Sequence, residues 1–233
     1  MVHPEIHLMS PLPTGHRREL EGSASEQPHE GGISFHSLRD YEVGDDLRLI
    51  HWRSVAKTGT LMVRKNIITS EPRLMIVLDT WAGSYGPGPA GVEVFEDAVR
   101  VAASLVQAGC SNNYPVLFRT TGGVAADASS SGEGRTDIMR ALAAVTPSED
   151  ELGLNGVVRF VEQGEGVSLG AVTGQPPVDR TIGVSRARSR FDMVTVVQVG
   201  ESHNRPPMNI PGALVLNGGT SLDVAARWKA RFG

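Results

Sequence analysis

At 233 residues and 24.8 kDa the chain has room for one or two domains of ~150 residues each. Hydrophobic residues make up 40% and charged residues 21%, which excludes wholesale disorder and leaves enough apolar material for a full core. The 22 Lys and Arg against 26 Asp and Glu give a net charge of −4, so no nucleic-acid partner is expected, and the single cysteine, Cys110, excludes an intrachain disulfide.

Val2, Ile6 and Leu8 alternate with polar or turn residues and predict a short strand. The start has no signal-peptide core, and its abruptness reads like a piece of a longer protein. Residues 10–34, rich in Pro, Gly, Ser, Glu and His, read as a loop or loosely held arm. Residues 35–72 are dense in charge and aromatics. The texture then changes: Leu74–Leu78 is a continuous apolar run that suits a buried parallel strand. Val94, Phe95, Ala98, Val101, Ala102, Leu105 and Val106 predict a helix over 92–108, ended by Gly109. Val116–Phe118 is a second strand, followed by a flexible loop over 122–134. A helix over 137–145 takes Thr136 as its N-cap and Pro147 as its stop. A further helix is predicted over 155–163, a strand over 167–173, and a partly helical connection over 176–190. Valine-rich 193–199 and 213–216 are strands, and 222–232 is an amphipathic helix with Ser221 as N-cap. No run approaches the ~20 apolar residues a membrane span needs.

Strands alternating with helices predict an α/β domain over 73–233, with a mostly parallel sheet covered on both faces (Rossmann-like), preceded over 1–72 by an N-terminal charged arm too small and polar to core itself. Ligands meet such a sheet at the carboxyl ends of its strands, near the point where strand order reverses. Asp79, at the end of the first sheet strand, is therefore the first candidate for a functional acid.

In the arm, Gly44-Asp45 is a turn signal, and Arg39 and Arg48 lie among Asp40, Asp45 and Asp46. Arginine forks pair well with carboxylates, so one reading is an arm held by ion pairs; the other is a docking surface made of Phe35, Arg39, Tyr41, Gly44, Asp45, Asp46, Arg48, Trp52 and Arg53. Tyr41 and Trp52 are expected to pack the arm onto the sheet domain as aromatic anchors. His36, Asp46 and His51 match no compact metal motif. Arg180, Arg186, Arg188 and Arg190 form a second basic cluster, read as a solvated helix face or a charged partner surface.

The stretch from Phe35 through Arg39-Asp40-Tyr41, Gly44-Asp45, Arg48, Ile50 and Trp52-Arg53, continuing through Lys57-Thr58-Gly59 and Val63-Arg64 into Leu78-Asp79, resembles the signature of the domain of unknown function 58 family. The family motif occupies 33–72 of the arm. The resemblance implies a von Willebrand factor type A-like fold. It also implies partnership with a MoxR-type AAA+ ATPase, and a cytoplasmic location in a protein that can carry membrane helices upstream of this segment.

A type A domain holds a divalent cation with an Asp-x-Ser-x-Ser loop, a threonine and a distant aspartate, the hard oxygens that Mg²⁺ takes. By that resemblance Asp79 matches the aspartate, Trp81 and Gly83 replace the serines, and Ser84 falls one position late. Thr136 matches the second-loop threonine, and Thr173 stands where the third-loop aspartate is expected. The metal site, Asp79, Ser84, Thr136 and Thr173, thus reads as degenerate, with Mg²⁺ the only cofactor in question. No nucleophile elbow, phosphate-binding glycine loop or zinc cluster appears. The expected function is a non-enzymatic interaction module, an adaptor or assembly factor. The alternative is a metal-dependent hydrolase or adhesion-type domain using Asp79 and Thr136.

Overall fold

The computed structural model describes residues 4–14, 34–42, 50–67, 72–160, 167–200 and 208–233. The chain divides into two units, one of residues 1–18 with 71–233 and one of residues 19–70. Residues 4–14, expected in the arm, belong to the unit that holds the sheet.

The small unit holds β1 (Ser34–Asp40) and β2 (Met62–Ile67) as an antiparallel pair, with an irregularity between Phe35 and Ser37, and a short helix α1 (Trp52–Thr58) between them. Ile50 bridges to Val63, and both are buried. Helix α1 ends where Gly59 turns left-handed at φ +76°, a conformation glycine adopts without a Cβ penalty.

The large unit is built on a six-stranded sheet. Its strands are β3 (Arg73–Leu78), β4 (Val116–Thr120), β5 (Ala125–Ala128), β6 (Val167–Thr173), β7 (Met193–Val199) and β8 (Leu214–Gly218), in the order β5-β4-β3-β6-β7-β8. All pairings are parallel except β4–β5. Side chains along β3 alternate between two cores, as the period of two requires. Leu74, Ile76 and Leu78 face helices α2 (Gly88–Ser111), α3 (Arg135–Ala144) and α5 (Ser221–Phe232). Met75 and Val77 face a 3₁₀ segment (Gly153–Phe160) and α4 (Ile182–Ala187). The chain leaves β3 toward β4 and later returns to β6 on β3's other side, so strand order reverses at β3.

Helix α2 runs through Gly109 to Ser111; Gly109 is not a stop but a point of close packing, where a Cβ would stand 2.8 Å from Val116 Cγ2 and 3.0 Å from Leu74 Cδ1. The loop predicted over 122–134 contains β5, because Ala125–Ala128 folds back on β4 and hides that strand's outer edge. Helix α3 takes Gly134 as its N-cap, with no side-chain cap, and Thr136 is an exposed residue inside the helix. Over 153–160 the chain is 3₁₀ rather than α. Thr220, not Ser221, caps α5, accepting from Asp223 N at 3.2 Å.

The N-terminal segment 4–14 forms no strand. It is pinned instead by scattered anchors on the large unit. Met9 and Leu12 are buried, His7 N donates to Ser104 Oγ at 2.9 Å, and Trp228 Nε1 donates to Ser10 O at 2.9 Å. Leu12 lies over Gly170 on β6, where a Cβ would come within 2.7 Å of its methyls. Among the described residues no helix is long and apolar enough to cross a membrane.

Candidate functional site

Strand order reverses at β3, and Asp79 lies directly after that strand, beside the carboxyl ends of β4 and β6. Its side chain is fully buried, and four donors converge on its carboxylate. Ser84 Oγ donates to Oδ2 at 2.6 Å and Thr173 Oγ1 to the same oxygen at 2.7 Å. Trp81 N donates to Oδ1 at 3.1 Å, and Thr121 Oγ1 lies 3.3 Å from Oδ1. Tyr85 donates its hydroxyl proton to the Asp79 carbonyl.

Each donor has a local cause. The 3₁₀ turn Ala82–Ser84 brings Ser84 back toward the strand end, which is how a serine one position late still reaches the aspartate. The turn closes against β6 because Gly174 has no side chain: a Cβ there would fall 2.2 Å from Ser84 O, and Gln175 N donates to that carbonyl at 2.5 Å. Tyr85 is held edge-on to Phe95 of α2 at 5.0 Å between ring centres. Thr173 is the last residue of β6 and Thr121 the first after β4, so the two parallel strands that flank β3 deliver both hydroxyls to its end.

A second carboxylate completes the cluster. Glu151 Oε2 accepts from Thr80 Oγ1 at 2.6 Å and lies 3.1 Å from Thr121 Oγ1. The loop carrying Glu151 is tied to the strand ends by Ser148 N to Thr80 O and Ala82 N to Ser148 O, both 2.8 Å. The Thr121 hydroxyl accepts from Thr80 N at 2.8 Å, so its one proton is shared between two acids. Gly153 packs against the acid; a Cβ there would stand 3.4 Å from Asp79 Oδ1. Alongside, the Arg180 guanidinium lies over the Trp81 ring, 4.4 Å from its centre, and donates to Glu151 O at 3.0 Å.

Burial pushes the Asp79 carboxyl above its ordinary range, because the charged form loses its water; the hydrogen bonds from Ser84, Thr173, Trp81 and Thr121 oppose this without cancelling it. Burial, with the negative charges of Asp79 and Glu151 added, holds the Tyr85 phenol well above its usual value. Tyr85 therefore stays a neutral donor.

Of the four residues read as a degenerate metal site, the fold brings three together, Asp79, Ser84 and Thr173. Thr136 is not among them: it is exposed on α3, and Thr121 occupies the place expected of it. Thr121, Thr80 and Glu151 are the residues sequence reasoning missed. The signal for Thr121 was its position directly after an apolar strand, where Asp79 was itself found. Glu151 carried no local signal, since it reaches the site from an irregular loop.

The oxygens gathered here are hard donors of the kind Mg²⁺ takes, but the arrangement fits a cation poorly. The Ser84 and Thr173 hydroxyls and the Trp81 N–H spend their protons on Asp79, and the Thr121 hydroxyl is divided between Asp79 and Glu151. The carboxylate has no solvent-facing side. Among the described residues no three His, Cys, Asp or Glu side chains converge as a metal group. The geometry is that of a buried acid held in place by its neighbours.

The expected docking residues are placed only in part. Phe35 and Arg39 lie on β1, but their side chains fall outside the described residues, as do Gly44, Asp45, Asp46 and Arg48. The expected ion pairs of Arg39 and Arg48 and the side chains of His36 and Asp46 fall outside them as well. His51 Nδ1 is within 2.7 Å of Ser54 Oγ. Tyr41 is half-buried. Trp52 is 65% exposed, and its neighbour Arg53 is exposed as well. The basic cluster also disperses. Arg180 is engaged at Trp81, Arg188 Nε donates to Gly212 O at 2.8 Å, and Arg186 and Arg190 are exposed. Cys110 is buried in α2, and burial raises its thiol, which suits packing rather than reactivity.

These features place the chain among α/β proteins with a doubly covered, mostly parallel sheet and a hydrogen-bonded acid at the carboxyl end of a central strand. The chain belongs to the family described as protein of unknown function DUF58, which matches residues 37–164, more than half of its length. No curated protein and no solved structure gives a match.

Proposed function

We propose that the chain is a non-enzymatic protein-interaction module, an adaptor or assembly factor with a von Willebrand factor type A-like fold that works with a MoxR-type AAA+ ATPase in the cytoplasm. The observation that carries this reading is the state of Asp79: a carboxylate without solvent access, with four donors committed to it, organises the strand ends rather than attacking a substrate. The exposure of Trp52 and Arg53 supports docking through the motif segment, since an aromatic and an arginine left in water are the residue types that interfaces use as anchors. The partner's identity rests on the family resemblance alone.

The test is capture of the MoxR-type ATPase by the immobilised chain, with and without ATP. Capture is expected, with loss of at least tenfold in a Trp52→Ala, Arg53→Glu double variant; no capture in either nucleotide state overturns the reading. The competing reading, a metal-dependent hydrolase or adhesion-type domain, draws on the convergence of Asp79, Ser84, Thr121 and Thr173. Calorimetric titration with Mg²⁺ decides against it if no heat of binding appears, and in its favour if micromolar binding appears that Asp79→Ala abolishes.

A further inference from the structure

The strand order ends in an edge at β8, and among the described residues nothing pairs with its outer side. The direction of its amides follows from one bond. Gly218 O accepts from Gly200 N at 3.0 Å, and alternate residues of a strand turn N–H and C=O to the same side. Leu214, Leu216 and Gly218 therefore face β7, while the N–H and C=O of Val215 and Asn217 point outward. Proteins usually blunt such an edge with proline, lysine or a bulge; Leu-Val-Leu-Asn-Gly has none of these. Asn217 also keeps a side-chain oxygen that is buried and accepts no hydrogen bond.

Two hollows flank the edge, of about 430 and 480 Å³, and Arg231 lines both. Arg188, fixed by its bond to Gly212 O, lines the first, and Arg227 lines the second. Arg227 is neutralised by Asp223 at 2.9 Å, and Asp192 also borders the first hollow, whereas Arg231 makes no ion pair with a described residue. The edge is therefore basic on balance. Two copies joined through β8 would set these arginines against one another, which disfavours a second copy of this chain as the occupant.

We infer that the outer edge of β8 takes an extended, acidic segment of a partner protein by strand addition, with Arg231 and Arg188 receiving its carboxylates. Val215 and Asn217 supply two N–H donors and two C=O acceptors to the incoming strand. A contact of that size gives a weak, reversible docking site. It lies on the large unit and is independent of any ATPase partner.

The probe is a blocked, fluorescein-labelled peptide Glu-Val-Glu-Val-Glu, with Lys-Val-Lys-Val-Lys as its charge-reversed control, read by anisotropy. Binding of the acidic peptide alone is expected, weakening about fivefold or more when salt rises from about 50 to 300 mM, since the pairs lie near the surface. Arg231→Glu is expected to weaken it about tenfold. Val215→Pro removes only an outward N–H and is expected to abolish it. Amide exchange at Val215 and Asn217 slows on binding. The inference is overturned if the acidic peptide shows no binding at millimolar concentration. It is also overturned if the basic peptide binds equally well, or if Arg231→Glu, an exposed-helix change that leaves the fold intact, has no effect. Sedimentation as a dimer that Val215→Pro dissociates would assign the edge to a second copy and overturn it too.

Discussion

Replacing Thr121 by valine separates a hydrogen-bonding role from a packing role at the strand-end cluster. Valine matches threonine in volume, so the change leaves no cavity; what goes is one hydroxyl that touches three partners. Thr80 N, on a residue 1% exposed, loses its acceptor, and Asp79 and Glu151 lose the proton they share. A buried donor left unsatisfied costs about 1–3 kcal/mol, and a hydrogen bond to a charged acceptor is worth about 1.5–3 kcal/mol; because the two terms overlap, the net loss is about 2–4 kcal/mol. Thr121→Ser keeps the hydroxyl and removes one buried methyl, a loss of about 1 kcal/mol. Urea unfolding followed by far-ultraviolet circular dichroism measures both. With a slope of about 2–3 kcal/mol/M, the valine variant is expected to unfold about 1 M earlier than the parent and the serine variant by less than half that. The decisive result is the order. If valine proves the milder change, Thr121 is a packing residue and the reasoning built on its hydroxyl fails.

Asp79→Asn tests the electrostatics of the same cluster. Because burial raises the Asp79 carboxyl in the folded state above its ordinary 3.8, the native protein binds more protons than the unfolded chain in the window beginning there. The stability this provides is complete below pH 3.8 and is lost as pH rises through the folded value. Asparagine does not titrate, so the variant should gain on the parent with rising pH across that window, by at most about 1.4 kcal/mol per pH unit; a gain by the parent instead would show that the four donors outweigh burial. Leu12 and Gly170 form a testable pair. Leu12→Ala should cost about 2–4 kcal/mol and make residues 4–14 protease-sensitive, and Gly170→Ala alone should cost about 1–3 kcal/mol through overpacking. In the Leu12→Ala background Gly170→Ala should be neutral or stabilising, and simple additivity would show that the two side chains do not meet.

Elements whose signals are local were legible in the chain alone. The apolar runs of β3, β6 and β7 and the 3.6-residue stripe of α2 report burial on the scale of a single strand or helix, and their order specified a mostly parallel sheet with Asp79 at a strand end. The family signature was legible for the same reason, because the motif from Phe35 to Trp52 is contiguous. Whatever depends on which distant residues meet emerged only on folding. Thr121 lies 42 residues from Asp79 and Thr173 lies 94, and only the parallel register of β4, β3 and β6 brings their hydroxyls to one carboxylate. Thr136 carried the better local signal, at a helix start after glycine, yet α3 turns it to solvent. Glu151 arrives on a loop with no periodicity, held by backbone bonds to Thr80 and Ala82. The N-terminal segment looked like an alternating strand, but its burial is set by where Gly170 leaves room for Leu12. Periodicity records which face of an element is buried; it holds no record of what lies opposite, and the site is made of opposites.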